Sequence, residues 1–371
     1  MRITFIVIMA LLLGSGHYFV LSRLWGMIPS VVLRVAVVVV AALMLAAFFA
    51  VFIFRDVLPL SVGAVAYRVG TSWLMIFLYL LLSFLTLELL RVFHFAPASW
   101  MLSEGWGGVS VLSIAFVLVF SYGYFRYRIK KRLVLNLEIA KPAGNLGVLK
   151  IVALSDLHLG YGIGKKELES WLPLVNAEKP DIVFIVGDVV DNNVRPLFEQ
   201  NFAESFKKIE SKYGIYGVVG NHEYLGNLAK SVEFFKSAGI TLLRDTACFI
   251  DEAFYIIGRD DRSNPKRKKL SELTAGIDRS KPVLLLDHQP YHLEDAVQNG
   301  VDLQISGHTH NGQIWPVSMV TRLIFEKSYG YTKKGGSHIY VSSGIGIWGG
   351  KFRIGTWSEY VVITLSTGGG C

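Results

Sequence analysis

Histidines and carboxylates recur at short spacings in the C-terminal part of this sequence, and the segment His308-Thr309-His310 is the most distinctive. The apolar residues 301–305 predict a short buried strand that leads into it. Neutral imidazole is a common metal ligand, and Gly307 and Gly312 leave the backbone free to turn both rings inward. A single His-x-His pair is more often a packing accident, so its interpretation depends on the donors that accompany it.

Further polar clusters lie upstream, each directly after an apolar stretch that predicts a strand. They are Asp156 with His158, Asp188 with Asp191, Asn221 with His222, and His288. Open α/β sheets bind their ligands at the carboxyl ends of the strands. We therefore expect all of these clusters to converge on one site.

The predicted donors are oxygen and nitrogen atoms, without a thiolate. This excludes a structural zinc site built on cysteine and suits Mn, Fe, Zn or Mg. The predicted ligands are Asp156, His158, Asp188, Asn221, His288, His308 and His310. Seven ligands are too many for one ion with open positions, whereas two divalent ions about 3.5–4 Å apart, sharing a carboxylate and a water, accommodate them.

The order of the motifs D-x-H, G-D-x-x-D, G-N-H-E, a separate His and G-H-T-H resembles that of the calcineurin-like metallophosphoesterases. The match covers about residues 146–365, and residues 288–290, 307–313 and 342–355 are similar to the bacterial membrane-associated branch. The resemblance implies a four-layer α/β/β/α sandwich, with two mixed sheets between helices. It also implies hydrolysis of a phosphoester or pyrophosphate bond by metal-activated water.

The resemblance further implies how the donors divide. One metal would be held by Asp156, His158, Asp188 and His310, and the other by Asp188, Asn221, His288 and His308. His222 would protonate the leaving oxygen or stabilise the phosphoryl charge, with Asp191 orienting its ring. The protein Ser/Thr phosphatases have Arg where this chain has Asn192, which argues against a phosphoprotein substrate. Asn311 stands where the bacterial branch often has Gly, a difference that concerns the local turn.

The elements that must position these residues are short strands and helices. Apolar stretches predict strands at residues 148–154, 181–186, 214–219, 240–243, 254–257, 282–286, 339–342 and 360–365. Helical spacing predicts helices at residues 165–175, 197–211 and 228–238. The glycines at 160, 162 and 164 follow a strand, but their spacing matches neither phosphate-binding fingerprint, so a nucleotide cradle is disfavoured.

A glycine-rich loop at residues 344–355 carries side chains suited to a substrate entry. Trp348, Phe352 and Arg353 are the candidates for substrate binding. Ordinary loop packing of the aromatic residues is an equally good interpretation. The loop therefore stays a candidate on the sequence alone.

The N-terminal part is much more apolar than a soluble domain, and the whole chain has 52% hydrophobic residues. Residues 3–21, 35–54, 72–90 and 108–125 each approach the roughly 20 residues that a membrane-spanning helix needs. The first could instead be a signal peptide, but no small-residue cleavage site follows it. Glu88 lies near the end of the third span, beside Arg91. We predict a four-helix anchor rather than a transporter core, because the spans lack paired polar groups.

Basic residues crowd behind the fourth span and account for much of the net charge of +8. They are Arg126, Arg128, Lys130, Lys131 and Arg132. By the positive-inside rule they predict a multi-pass protein with the catalytic domain on the cytoplasmic face. The resemblance implies that the membrane is the bacterial cell membrane. Anionic lipid headgroups suit such a cluster, whereas nucleic acid is not an expected partner. Two well-separated cysteines indicate no disulfide framework.

Taken together, the sequence predicts a transmembrane anchor at residues 1–132, a linker at 133–145, a metallophosphoesterase domain at 146–366 and a flexible tail at 367–371. The predicted function is hydrolysis of a phosphoester or pyrophosphate bond, with membrane lipids as partners and a lipid-linked substrate. Two alternatives stay open: a phosphodiesterase for soluble nucleotides, and a metal-binding membrane scaffold without turnover. Scaffolds of this fold typically lose ligands or the catalytic histidine, and this chain keeps both.

Overall fold

The computed structural model describes residues 2–144 and 146–368, and it divides the chain into two compact units, Met1–Tyr122 and Gly123–Cys371. The helices of the N-terminal part are α1 (Arg2–Met27), α2 (Val31–Ile53), α3 (Leu60–Val92), α4 (Ala96–Leu102) and α5 (Trp106–Arg128). All except α4 are long and apolar enough to cross a membrane, which confirms the four predicted spans. Helix α3 has 33 residues and is longer than predicted, because the helix continues beyond its most apolar stretch.

The first unit packs through apolar side chains and small residues. A Cβ atom added at Gly70 of α3 would lie 2.4 Å from the backbone nitrogen of Phe48 in α2. Glycine therefore allows these two helices to approach closely, as is usual between membrane helices. Glu88 forms ion pairs with Arg23 at 2.7 Å and with Arg91 at 2.6 Å. The acidic group near the end of the third span is thus neutralised locally.

The second unit contains twelve strands, nine α-helices counting the end of α5, and one 3-10 turn among the described residues. The strands are β1 (Lys130–Ile139), β2 (Val148–Leu154), β3 (Ile182–Val186), β4 (Ile215–Val218), β5 (Ile240–Leu242), β6 (Thr246–Ile250), β7 (Phe254–Gly258), β8 (Val283–Leu286), β9 (Leu303–Ser306), β10 (Gly330–Lys334), β11 (Ser337–Val341) and β12 (Ser358–Thr367). The helices that follow α5 are α6 (Lys165–Ala177), α7 (Arg195–Glu199), α8 (Ala203–Phe206), α9 (Asn221–Gly226), α10 (Leu228–Ser237), α11 (Leu270–Thr274), α12 (Glu294–Gln298) and α13 (Val317–Ile324). The 3-10 turn is His310–Gly312.

The strands form two six-stranded sheets, in the orders β1-β12-β2-β3-β4-β5 and β10-β11-β9-β8-β7-β6. Each sheet has a parallel centre, and antiparallel pairing joins β12 to β2, β10 to β11 and β6 to β7. The central strands are buried on both faces. Along β2, Ile151 packs into the core between the sheets and Val152 packs under the helices. This arrangement confirms the predicted α/β sandwich with two mixed sheets.

Several local predictions differ from the structure. Residues 133–139, predicted as part of a linker, form most of β1, which pairs in parallel with β12. The physical reason is an alternation in which Leu137 and Ile139 are buried and their neighbours are exposed, as expected for an edge strand. The predicted helix at 197–211 is broken, because Asn201 has φ 52° between α7 and α8. Strands β6 and β10 were not predicted, and the last three residues of the predicted tail, 369–371, lie outside the described residues.

Candidate metal centre

The predicted ligands lie in the loops that leave the carboxyl ends of neighbouring strands. Asp156 and His158 follow β2, Asp188 follows β3, and Asn221 begins the helix after β4. In the second sheet His288 follows β8, and His308 and His310 follow β9. Each apolar strand is anchored in a core, so its end is a fixed point from which a short loop can aim a polar side chain.

Five of the predicted ligands have a left-handed backbone conformation, which residues other than glycine rarely adopt. The φ values are 53° for Asp156, 46° for His158, 51° for Asp188, 70° for His308 and 50° for His310. Each such residue costs free energy, on the order of 1–3 kcal/mol, unless the surroundings compensate. The loops turn abruptly at these positions, which brings side chains from separate strands to one place.

The first group of donors combines residues that are 152 positions apart in sequence. Asp156, His158 and His310 offer ligand atoms that lie within 4.8 Å of one another. The Nε2 atoms of His158 and His310 are 2.9 Å apart. The carboxylate of Asp188 lies close by, with Oδ2 3.8 Å from His158 Nε2. These four residues are the set that the family resemblance assigns to one metal.

The second group lies on the other side of Asp188. Asp188, His288 and His308 also offer ligand atoms within 4.8 Å of one another. Asp188 Oδ2 is 3.1 Å from His288 Nε2, and Asn221 Oδ1 is 2.8 Å from His308 Nδ1. The structure therefore brings all seven predicted ligands together, and Asp188 lies between the two groups.

His222 lies beside the predicted ligands, and its donor atom forms a third group with those of His158 and Asp191, all within 4.8 Å of one another. Its ring meets that of His158 at a centroid distance of 4.5 Å. His222 Nδ1 is 2.7 Å from the backbone oxygen of Asp191 and 3.7 Å from its carboxylate. The Asp191 carboxylate also lies 3.5 Å from His158 Nδ1. Asp191 thus contacts His222 mainly through its main chain, and its carboxylate is shared with a predicted ligand.

The donor set fits a bound cation because two of its buried polar atoms lack a hydrogen-bond partner. Among the described residues, Asp156 Oδ2 and His310 Nδ1 form no hydrogen bond. A buried polar atom without a partner is costly and needs an explanation such as an ion. The protein also orients the rings, since His288 Nδ1 is 2.8 Å from the carbonyl oxygen of Val186. Such a contact on the other ring nitrogen is the usual support for a metal-binding histidine.

Electrostatics hold His308, His310 and Asp188 in the form that a cation needs. For His288, by contrast, the carboxylates of Asp188 and Asp156 outweigh burial and raise the pKa well above its usual value. Burial lowers the pKa of His308 to about 4 and holds that of His310 well below its usual value. Both imidazoles are therefore neutral at pH 7, as metal ligation requires. Burial alone would raise the pKa of Asp188, but the imidazoles of His288 and His222 outweigh it and hold the pKa well below its usual range. The central carboxylate is thus ionised.

Glu223 is a structural residue of the centre that sequence reasoning did not assign. It is fully buried, and its carboxylate accepts hydrogen bonds from the backbone N–H groups of Asp188, Val190 and Gly220 at 3.1, 2.9 and 2.6 Å. Burial and the nearby charge of Asp188 raise the pKa of Glu223 to about 7. The signal was present in the G-N-H-E motif, whose last residue ties the loops after β3 and β4 together.

The structure corrects the prediction for Arg353. Its side chain is fully buried and lines no entry; its guanidinium donates hydrogen bonds to the backbone oxygens of His310, Ser343 and Gly346 at 2.7, 2.6 and 3.0 Å. In the described part of the chain, these backbone carbonyl groups are not paired with a neighbouring strand. The guanidinium of Arg353 supplies the hydrogen-bond donors that water would otherwise provide. Burial lowers the pKa of this guanidinium to about 10, so it stays charged at pH 7.

The two aromatic candidates of the same loop have different surroundings. Trp348 is 39% exposed, and its backbone oxygen accepts a hydrogen bond from Gln313 Nε2 at 2.9 Å. Phe352 is half-buried near the end of α5, where its Cβ would lie 3.4 Å from a Cβ added at Gly123. Substrate contact through Trp348 and Phe352 stays a prediction. Asn311, at the position where the bacterial branch often has Gly, adopts φ 51° and ψ 33°, which asparagine tolerates well.

Comparisons with known proteins point to one family. Residues 149–312 match a family model described as calcineurin-like phosphoesterase. The chain is similar to an uncharacterized metallophosphoesterase of Aquifex aeolicus, with 35% identity over 225 residues, 58% of this chain and 85% of that protein. It is also similar to an uncharacterized metallophosphoesterase of Campylobacter jejuni, with 34% identity over 58% of this chain and 59% of the relative.

A vertebrate relative carries the word transmembrane in its name. The transmembrane protein with metallophosphoesterase domain of Danio rerio is 30% identical over 246 residues, which is 62% of this chain and 56% of that protein. The chain thus spans most of the Aquifex relative but less than two thirds of the Campylobacter and Danio relatives.

Proposed function

Because this chain belongs to the calcineurin-like metallophosphoesterase family, we propose that it hydrolyses a phosphoester or pyrophosphate bond of a lipid-linked substrate at the membrane surface. The chain is a metal-dependent phosphoesterase with four candidate membrane spans. The lipid-linked substrate is the part that we add. Two divalent ions, drawn from Mn, Fe, Zn and Mg, are the proposed cofactors.

The observation that carries the substrate proposal is the way in which α5 ends. Residues 123–128 of this candidate span belong to the second unit. The backbone N–H of Arg353 donates to the backbone oxygen of Gly123 at 2.9 Å, while the guanidinium of Arg353 donates to the backbone oxygen of His310. One buried residue, Arg353, therefore connects a candidate span to the backbone of a predicted ligand, through its own backbone on one side and its guanidinium on the other. A substrate held in the lipid interface would lie close to the centre.

The proposed ligands are the seven residues of the two groups, with Asp188 shared between them. Bound divalent ions would lower the pKa of water and screen the charge of the phosphate oxygens. His222 donates the Nδ1 proton to the Asp191 backbone oxygen, which leaves Nε2 for the substrate. In its protonated, cationic form His222 can pass the Nε2 proton to the leaving oxygen and become neutral. The nearby carboxylates of Asp188 and Asp191 favour that protonated form.

We also propose that the second unit faces the cytoplasm. Basic residues follow the fourth span immediately, at Arg126, Arg128 and residues 130–132. Loops and ends that are rich in Lys and Arg stay on the cytoplasmic side. A reporter fused behind residue 366 tests this: a cytoplasmic reporter should be active, and a reporter that needs export should not.

The substrate class can be tested with the full chain in lipid nanodiscs. The protein is stripped of metal, reloaded with Mn, Fe, Zn or Mg in turn, and assayed on an aryl phosphodiester, a panel of phospholipids and lipid pyrophosphates, and a cyclic nucleotide. We expect turnover of the aryl compound with at least one metal, and a higher kcat/KM for one lipid substrate than for the cyclic nucleotide. A preference for the nucleotide would favour the soluble-nucleotide alternative. Metal binding without any turnover would favour the scaffold.

A further inference from the structure

Helix α13 is amphipathic, but its apolar face is exposed and its opposite face is buried, which is the reverse of a helix on the surface of a water-soluble domain. Its apolar residues Met319, Val320, Leu323 and Ile324 are 54%, 51%, 87% and 60% exposed. Ser318, which is polar, is only 5% exposed and faces the protein. At i, i+4 spacing the four apolar side chains share one face, so the exposed surface is continuous. A face of this kind needs a partner that is not water.

The helix is fixed to the turn that carries His310. A Cβ atom added at Gly312 would lie 2.4 Å from the backbone nitrogen and Cα of Ser318, so the turn and α13 touch through their backbones. Gly312 has φ 72°, which also favours glycine. The N–H of Ser318 donates to the backbone oxygen of Ile314 at 3.0 Å. A partner that binds α13 would therefore lie beside the turn that carries a predicted metal ligand.

The start of α13 and the end of α5 contact the same residue. The N–H of Trp315 donates to the backbone oxygen of Ile354 at 2.8 Å. A Cβ atom added at Gly123 of α5 would lie 2.8 Å from Cγ1 of Ile354. Because α5 is a candidate membrane span, residues that touch its final turns lie at the level where the chain leaves the hydrocarbon. A membrane crossed by α5 would therefore have its interface close to the start of α13.

The polar residue on the outer side of α13 also suits a lipid surface. Arg322 is exposed, and it forms no ion pair within the ranges 2–144 and 146–368 that the structure covers. A long cationic side chain beside an apolar face can reach the phosphates while its neighbours enter the acyl region. Trp315, 55% exposed, precedes the helix, and tryptophan is enriched at membrane interfaces.

We infer that α13 is an in-plane membrane-docking helix, which inserts Met319, Val320, Leu323 and Ile324 into the lipid interface and holds the predicted metal turn at the bilayer surface. The occupant of the face is the bilayer itself. The inference deepens the proposed lipid-linked function, since a docked α13 would place the centre beside lipid headgroups. The insertion can nevertheless be measured without any substrate.

The first test measures the depth of a spin label in full-length protein. Both native cysteines are replaced by serine, and a nitroxide is attached at Leu323→Cys in nanodiscs of zwitterionic and anionic phospholipid. The matched control is Val148→Cys, an exposed valine, 53% accessible, at the opposite end of β2 from the centre. We expect the ratio of oxygen to nickel-chelate accessibility to be at least about threefold higher at 323 than at 148. Equal ratios would overturn the inference.

A protein partner gives a different pattern in the same experiment. If α13 is covered by a second copy of the chain, the label at 323 is shielded from both oxygen and the nickel chelate. The shielding then persists in detergent, and the particle has the mass of a dimer. That result would also overturn membrane docking.

The second test asks whether docking matters for access to lipid. The double variant Leu323→Asp/Ile324→Asp is compared with Val148→Asp in proteoliposomes. We expect at least about a fivefold lower kcat/KM for a lipid phosphoester in the double variant, with unchanged turnover of a soluble aryl phosphodiester. An equal loss on both substrates, or no loss on the lipid, would contradict the inference. If the parent protein cleaves no lipid phosphoester, the proposed lipid-linked substrate is wrong. The spin-label measurement at residue 323 still tests whether α13 docks on the membrane.

Discussion

Buried polar side chains in the packing of the first unit and in the candidate metal centre of the second unit differ in their hydrogen bonding. Among the described residues of the first unit, the buried polar side chains His17 and Thr71 have partners nearby: Trp73 Nε1 donates to His17 Nε2 at 3.1 Å, and Thr71 donates to the backbone oxygen of Tyr67 at 2.6 Å. Among the described residues of the second unit, Asp156 Oδ2 and His310 Nδ1 are buried and form no hydrogen bond. Both units have apolar cores, so burial alone does not explain why their polar side chains differ in hydrogen bonding.

The difference distinguishes buried polar side chains that contribute to packing from buried polar side chains that are available to bind a ligand. A satisfied hydrogen bond inside a membrane helix bundle contributes modestly to stability. Unsatisfied donors on strained backbone cost stability, and a protein retains them where a ligand repays the cost. Mutations should therefore affect activity in the second unit far more than in the first. The predictions below test that ordering, beginning with the largest effect.

Asp188→Asn should have the largest effect. The Asp188 carboxylate lies between the two groups of donors, 3.8 Å from His158 Nε2 and 3.1 Å from His288 Nε2, and the amide cannot supply its charge. We expect both metal content and turnover to fall, with a larger loss of turnover than in His222→Ala. Elemental analysis of the purified variant, beside an assay on an aryl phosphodiester, measures both. Full metal content with normal turnover would show that Asp188 does not bridge.

His222→Ala should reduce turnover by at least about 10²-fold and leave the metal content unchanged. The ring contacts His158, but in the predicted arrangement it is a proton donor rather than a ligand. The matched control is His292→Ala, because the His292 side chain is 64% exposed and pairs with the exposed Glu294. Normal turnover in His222→Ala would remove it as the proton donor. Loss of metal would instead make it a ligand.

Glu223→Ala should destabilise the second unit by about 3 kcal/mol, because three buried N–H groups lose their acceptor. For a domain of this size that corresponds to a fall in the melting temperature of roughly 6–12 °C. Circular dichroism of metal-free protein in detergent measures it. Glu204→Ala is the control, since Glu204 is exposed and its ion pair with Lys207 contributes little. A melting temperature equal to that of the control would contradict the assigned role.

Much of the fold was predictable because the relevant signals are local. Stretches of apolar residues identified the four spans, and short apolar runs identified the central strands, since both patterns reflect burial directly. The edge strand β1 was missed because only one of its faces is buried and it lies next to a charged cluster. The break at Asn201 was missed because one left-handed residue leaves little trace in a helical pattern.

The candidate site likewise contains some residues whose roles the sequence predicts and others whose roles it does not. Oxygen and imidazole donors after strands could be predicted, because the carboxyl ends of parallel strands converge. The role of Arg353 could not, since a fully buried guanidinium whose partners are carbonyl groups reads in sequence as a surface charge. The reversed amphipathicity of α13 was also missed. A short amphipathic stretch such as residues 317–324 resembles a helix that packs its apolar face on a core until its exposure is known.

The smallest effect should come from the buried hydrogen bond of the first unit. His17→Phe keeps the stacking on Phe77, whose ring centroid is 3.8 Å away, and removes the acceptor for Trp73 Nε1. In a double-mutant cycle with Trp73→Phe we expect a coupling free energy of about 0.6 kcal/mol, the usual value between membrane helices. Unfolding titrations in mixed detergent micelles measure it. Turnover of an aryl phosphodiester should stay unchanged in all three variants. A loss of turnover comparable to that of His222→Ala would contradict the ordering, because a packing contact outside the second unit would then matter as much as a residue of the centre.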